Sequence, residues 1–173
     1  MNVRPIVAVV GNRDATRAQC ELAEDVGRLL VERGFRVLTG GLSGVMEAAC
    51  RGARSASNWR EGDVIGILPG SRAEAANPYV DIVIPSGMGY ARNVLIVQTA
   101  HAIVAVGGGA GTLSEIALAW QSDKPIVALD VEGFSREFAG RVLDARPRPP
   151  VLAARTAEDA IRSVEAAVSA AVS

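Results

Sequence analysis

The sequence predicts an α/β three-layer sandwich, a mostly parallel sheet with helices on both faces. Three observations carry that prediction. Short aliphatic, β-branched runs alternate with helix-length amphipathic stretches along the chain. Hydrophobic residues make up 49% of the sequence but aromatics only 4%, so the core must be Ala, Val, Ile and Leu. Strands buried on both faces of a parallel sheet read as such continuous aliphatic runs. Glycine clusters follow several of these runs, as at the strand-to-helix turns of open parallel sheets.

In chain order, Val3 to Val10 predicts a first strand ending on Gly11-Asn12-Arg13-Asp14. Thr16 to Gly34 has helical spacing, with Leu22, Val26, Leu29, Leu30 and Arg33 on one stripe and Gly34 as the stop. Phe35 to Leu38 predicts a second strand, leading through Gly40, Gly41, Ser43 and Gly44 into a helix over Val45 to Ala53. Val64 to Leu68 is a third strand, Ser71 to Pro78 the least structured stretch, and Val80 to Ile84 a fourth strand. Ser86 to Gly89 leads into a helix that runs through Ala100. Ala102 to Val106 is the central strand, followed by a helix to about Ser122 and a strand over Ile126 to Leu129. A weaker helix near Ser135 to Leu143, a Pro-rich connector, a short Val151-Leu152 segment and a helix from Glu158 complete the chain. At 173 residues, without linker or repeat, the expectation is a single domain, residues 1–173.

The stretch Gly107 to Glu115, GGGAGTLSE, organises the functional reading. A strand, a side-chain-free loop and a helix start form a phosphate-binding arrangement: bare backbone N–H groups approach the anion and the helix dipole favours its charge. Thr112 adds a hydroxyl at the helix entrance. Glu115, one turn on, shares its face and is expected to turn away from an apolar stripe of Leu113, Ile116, Ala117 and Trp120. Gly11 to Asp14 and Gly40 to Gly44 end other strands and compete for the same cleft. The GxGxxG fingerprint of dinucleotide binders is absent after the first strand, and GxxxxGK[ST] is absent throughout.

GGLSGVMEAA at Gly40 to Ala49, the Arg92 helix and GGGAGTLSE together resemble the LOG (lonely guy) phosphoribohydrolases, often mislabelled lysine decarboxylases. The resemblance runs from about Val7 to Leu129. GYARN with GGGAGTLSEIALA resembles most the branch that contains molybdenum-cofactor carrier proteins. It implies a Rossmann-like nucleotide-binding domain and, by position, Arg92 and Glu115 as the catalytic pair. Gly107, Gly108, Gly109, Gly111 and Thr112 would hold the phosphate, with Gly11, Arg13, Gly41, Ser43 and Asn93 as further ligand-binding candidates. The activity implied is hydrolysis of the N-glycosidic bond of an AMP-like nucleoside 5'-monophosphate; the alternative is a non-enzymatic carrier of a molybdopterin-type cofactor. No cofactor is required for the first, and in the second the pterin phosphate is cargo. Two departures stand out: the family's proline ahead of the glycines is missing, and the cation that follows its Arg is Asn93 here.

Other functions fit less well. Lys124 is the single lysine and lies in a turn beside Pro125, which argues against a pyridoxal phosphate decarboxylase. A net charge of -1 and scarce aromatics argue against a nucleic-acid binder. Cys20 and Cys50 lie far apart without metal-ligand spacing and read as buried free thiols, and no metal site is expected. His101 lacks a partner at catalytic spacing and reads as structural; Trp59 and Trp120 read as packing or interface residues. The N-terminus runs straight into a strand, with no signal peptide or membrane-length apolar run expected, so the reading is cytoplasmic. The family resemblance implies a homodimer or larger homo-oligomer.

Overall fold

The computed structural model describes residues 4–172. Seven strands form one parallel sheet in the order β4-β3-β2-β1-β5-β6-β7. The strands are β1 (Ile6–Gly11), β2 (Arg36–Thr39), β3 (Val64–Leu68), β4 (Ile82–Pro85), β5 (Ala102–Val106), β6 (Ile126–Leu129) and β7 (Leu152–Ala154). The helices are α1 (Arg17–Glu32), α2 (Val45–Ser55), α3 (Arg92–Thr99), α4 (Ala110–Gln121), α5 (Phe134–Phe138) and α6 (Ala157–Val172).

Strand alternation divides the core into two layers. Val7 and Val9 of β1, Val104 and Val106 of β5, and Val127 and Leu129 of β6 pack against α1, α2 and α6. Their neighbours Ala8, Val10, Ile103, Ala105 and Ala128 face α3 and α4, where Ile96, Val97, Ile116 and Trp120 close the second layer. Every residue of β3, β5 and β6 is buried, which explains why these strands read as unbroken aliphatic runs. This is the expected Rossmann-like sandwich, with the sheet wholly parallel among the described residues.

Local chemistry fixes the ends. Thr16 caps α1 in a reciprocal box: its hydroxyl accepts from the Gln19 amide, and the Gln19 side chain accepts from the Thr16 amide. Gly34, at φ +86°, takes the left-handed position just past that helix. The predicted first strand begins later than expected, at Ile6; Val3 lies outside the described residues.

Two other boundaries moved for visible reasons. The fourth strand is Ile82–Pro85, because the Val80 amide turns back to the Asn77 carbonyl. The stretch 71–78 contains a short 3-10 turn, Ala73–Ala75. The helix expected to reach Leu143 ends at Phe138, where Gly140 adopts φ +76° and the chain pairs with Val151. Cys20 is half-buried rather than buried; Cys50 is buried, and both are free thiols. Among the described residues no helix is long and apolar enough to cross a membrane.

Candidate functional site

Strand order reverses between β1 and β5, and the crevice beyond the carboxyl ends of strands at such a point is where open sheets take ligands. A cleft of about 470 Å³ opens there. Gly11, Asn12 and Arg13 reach it from β1, and Gly40, Leu42 and Met46 from the β2–α2 turn. Tyr90, Arg92 and Asn93 come from the start of α3, and Gly109, Gly111, Thr112 and Glu115 from α4.

The glycine loop divides into a tethered half and a free half. The Gly107 amide donates to Ser135 Oγ at 2.8 Å, and the Gly108 amide donates to Asn12 Oδ1 at 2.9 Å. Their carbonyls accept from the Ser135 and Phe134 amides. Both glycines hold left-handed conformations, and a Cβ on Gly108 would sit 2.4 Å from Thr112 Oγ1. Gly109 is the N-cap of α4, and the first intrahelical bond runs from Leu113 N to Gly109 O. The amides of Gly109, Ala110, Gly111 and Thr112 are therefore the four that a helix start leaves without intrahelical partners. No side chain caps this end and no acidic residue stands in its first turn, so its positive dipole is uncompensated.

Arg92 and Glu115 form the charged floor of the cleft. Arg92 Nη1 lies 3.9 Å from Glu115 Oε1, and Arg92 is 9% exposed against 6% for Glu115. Burial pushes the Glu115 carboxyl up to about 7, partly opposed by the Arg92 charge. Burial likewise lowers the Arg92 guanidinium, with Glu115 opposing. Arg92 Nη1 donates to Asn93 Oδ1 at 3.0 Å, while its buried Nε has no partner. Such an orphaned donor costs about 1–3 kcal/mol, so the guanidinium stands to gain from an incoming acceptor. Gly40 makes room for it: a Cβ there would lie 2.5 Å from Arg92 Nη2.

The structure brings together Gly11, Arg13, Arg92, Asn93, Gly109, Gly111, Thr112 and Glu115 of the residues expected from sequence. Four others fall outside the cleft. Gly107 and Gly108 spend their amides tethering the loop, as above. Gly41 shapes a turn at φ +72°, its amide bonded to Thr39 Oγ1, and Ser43 is exposed on the outer side of that turn. Glu115 shares a face with Thr112, as expected, and both line the cleft. Of the expected apolar stripe, Ile116 and Trp120 are buried, whereas Leu113 and Ala117 are half-buried; Thr112, Glu115 and Ala119 complete the buried residues of α4. Asn93, in place of the family's second cation, is committed to Arg92 and to Ser114 Oγ at 2.7 Å.

Sequence reasoning missed Gln19 and Ser135, which help aim the loop, and placed Asn12 and Gly40 only within segments near the cleft, without the roles of tethering Gly108 and admitting Arg92. Asn12 Nδ2 donates to Gln19 Oε1 and to the Asp14 carbonyl, fixing the amide whose oxygen receives Gly108. Their signal is weak, because a polar side chain at a strand end looks like any turn residue. His101 and Lys124 lie at the opposite end of the sheet. His101 Nδ1 accepts from the Ile6 amide, and Lys124 Nζ donates to the Ala100 carbonyl after α3. Among the described residues no group of three His, Cys, Asp or Glu side chains is placed to hold a metal ion.

Sequence and structure comparisons identify proteins similar to this chain. The cytokinin riboside 5'-monophosphate phosphoribohydrolase of Mycobacterium tuberculosis is 31% identical over 137 residues, 73% of this chain and 71% of that one. The molybdenum cofactor binding protein of Rippkaea orientalis superposes with a TM-score of 0.84 at 35% identity, covering 96% of this chain and 98% of that one. The molybdenum cofactor carrier protein of Chlamydomonas reinhardtii gives a TM-score of 0.81 at 34% identity, covering 96% and 99%. The model of the SLOG cluster4 family matches residues 4–161. With its glycine loop, its Arg92 helix and its switch-point cleft, the chain belongs to the SLOG cluster4 family.

Proposed function

We propose that the cleft binds a phosphomonoester joined to a planar heterocycle, and that the protein holds a molybdopterin-type cofactor as cargo. One observation carries the reading: the unbonded amides of Gly109 to Thr112 share one cleft with a buried Arg92 that lacks an acceptor at Nε. Backbone donors, a helix dipole and a guanidinium together match a phosphate rather than a neutral group. The volume suits a single ligand of this size. Likeness over nearly the whole of both chains to two molybdenum cofactor proteins supports the cargo, as does the replacement of a second cation by Asn93. With no cluster of ligating side chains among the described residues, a metal-bearing cargo would bring its own ligands and be held through its phosphate and ring.

A second reading, hydrolysis of a nucleoside 5'-monophosphate, is favoured by Glu115. A carboxyl held near 7 inside the cleft is suited to proton transfer at neutral pH, and its anion would stabilise an oxocarbenium-like state. Likeness to the mycobacterial phosphoribohydrolase supports it. Calorimetric titration with molybdopterin and AMP, each followed by chromatography for free base, separates the two. The carrier reading expects tight pterin binding and no base release. Base release from AMP that disappears in Glu115→Ala would reverse the order, and absence of binding by either ligand would remove both.

A further inference from the structure

The chain contains seven aromatic residues, and six of them are packed, bonded or stacked. Phe35 is buried, and Phe134 stacks on Phe138. Trp59 and Trp120 donate to carboxylates beneath arginines, and half-buried Tyr79 lies under Arg51. Tyr90 is the exception, at 90% exposed. It also lines the phosphate cleft, which none of the other exposed large apolar residues does among those described.

The position is built rather than loose. Ahead of Tyr90, the Gly87 amide donates to the Gly70 carbonyl at 3.0 Å and the Gly89 amide to the Pro69 carbonyl at 2.9 Å. Ser86 Oγ donates to the Leu68 carbonyl at 2.7 Å. The exit of β3 thus fixes the backbone carrying the ring, and the following turn, Gly89–Ala91, runs directly into Arg92. An aromatic side chain left in water forfeits a large apolar contact area, and a flat ring carried beside a cleft on a tethered backbone offers a stacking platform for another flat ring.

We infer that Tyr90 reads the ring of the ligand: it stacks on the planar heterocycle whose phosphate lies on the α4 amides. This rests on the proposed phosphate site and adds the residue by which that site selects a heteroaryl phosphomonoester over a plain sugar phosphate. The test titrates AMP, GMP and a pterin phosphomonoester against ribose 5-phosphate, in wild type, Tyr90→Ala, Tyr90→Phe and Tyr90→Trp. Melting temperature and sedimentation mass are recorded for each. Tyr90→Ala should weaken the ring-bearing ligands about tenfold to a hundredfold, leave ribose 5-phosphate within about twofold, and be rescued by Phe or Trp.

Equal loss for both ligand classes, or no loss for the ring-bearing ones, overturns the stacking role while leaving the phosphate site standing. So does a Tyr90→Ala variant whose mass falls relative to wild type, which would make the ring an interface residue. A wild type that binds none of the four ligands overturns both this inference and the reading beneath it.

Discussion

Arg92 and Glu115 meet at 3.9 Å, a distance too long for a tight ion pair, with both side chains nine-tenths buried. Desolvation outweighs their attraction, since the carboxyl is raised despite the neighbouring cation. The pair is therefore poised, and an anion entering the cleft competes with Glu115 for the guanidinium.

The first prediction concerns pH. A carboxyl whose folded pKa lies above its unfolded value binds its proton more tightly in the fold. Its favourable contribution is complete below 4.5, is lost as pH rises toward about 7, and stays lost above that. The full change is on the order of 3 kcal/mol. Chemical denaturation from pH 4 to 8 should show this slope in wild type and a flatter one in Glu115→Gln. Parallel curves for the two proteins would contradict it.

A second prediction follows from Gly40. Replacing it with Ala puts a methyl group within 2.5 Å of Arg92 Nη2 and forces the guanidinium aside. Phosphate-ligand affinity should fall roughly tenfold, about 1.4 kcal/mol, with little further loss when Arg92→Ala is added. Titration of both single variants and the double variant checks this. Independent, additive losses would mean that Gly40 does not act through Arg92.

A third prediction concerns the tether from Asn12 to the Gly108 amide. Asn12→Ala leaves that amide without its acceptor, which costs about 1–3 kcal/mol. It should lower stability by that order and weaken anion binding, although Asn12 need not touch the ligand. Asn12→Asp keeps the acceptor oxygen and should retain most of the stability. An Asn12→Ala variant that melts like wild type would rule out the tether.

A fourth concerns association. Of the seven exposed large apolar residues described, five besides the cleft residue Tyr90 and the distant Val142, namely Ile82, Ile84, Met88, Val94 and Leu95, fall within one stretch of chain from β4 to α3. Exposed apolar side chains brought together on one face favour self-association, and that is the expectation here. Light scattering should give a mass above that of one 18.0 kDa chain, falling to the monomer in Val94→Asp with Leu95→Asp. A monomeric wild type would contradict it.

The sequence was most informative where one physical rule acted alone. Val64–Leu68, Ala102–Val106 and Ile126–Leu129 were delimited to the residue, because each aliphatic run is bounded abruptly, by Asp63 and Pro69, by His101 and Gly107, and by Pro125 and Asp130. Arg92, Thr112 and Glu115 were legible through the family pattern. The loop's tethers were not, because Asn12 and Gly108 are 96 positions apart and only the β1–β5 pairing brings them together. The buried residues of α4 were legible only in part, Ile116 and Trp120 but not Thr112 and Glu115, for a related reason. A stripe drawn through apolar residues cannot include Thr112 and Glu115, which are buried to line a cleft rather than to fill a core.

The amides of Gly109 to Thr112 are the proposed seat of the phosphate. Amide NMR of the protein titrated with AMP, and separately with inorganic phosphate, tests it most directly. The account predicts that both ligands shift the Gly109, Ala110, Gly111 and Thr112 amide protons most, while Gly107 and Gly108, already bonded to Ser135 and Asn12, move little. Saturable binding that leaves those four signals in place and shifts a different region of the sheet would contradict it.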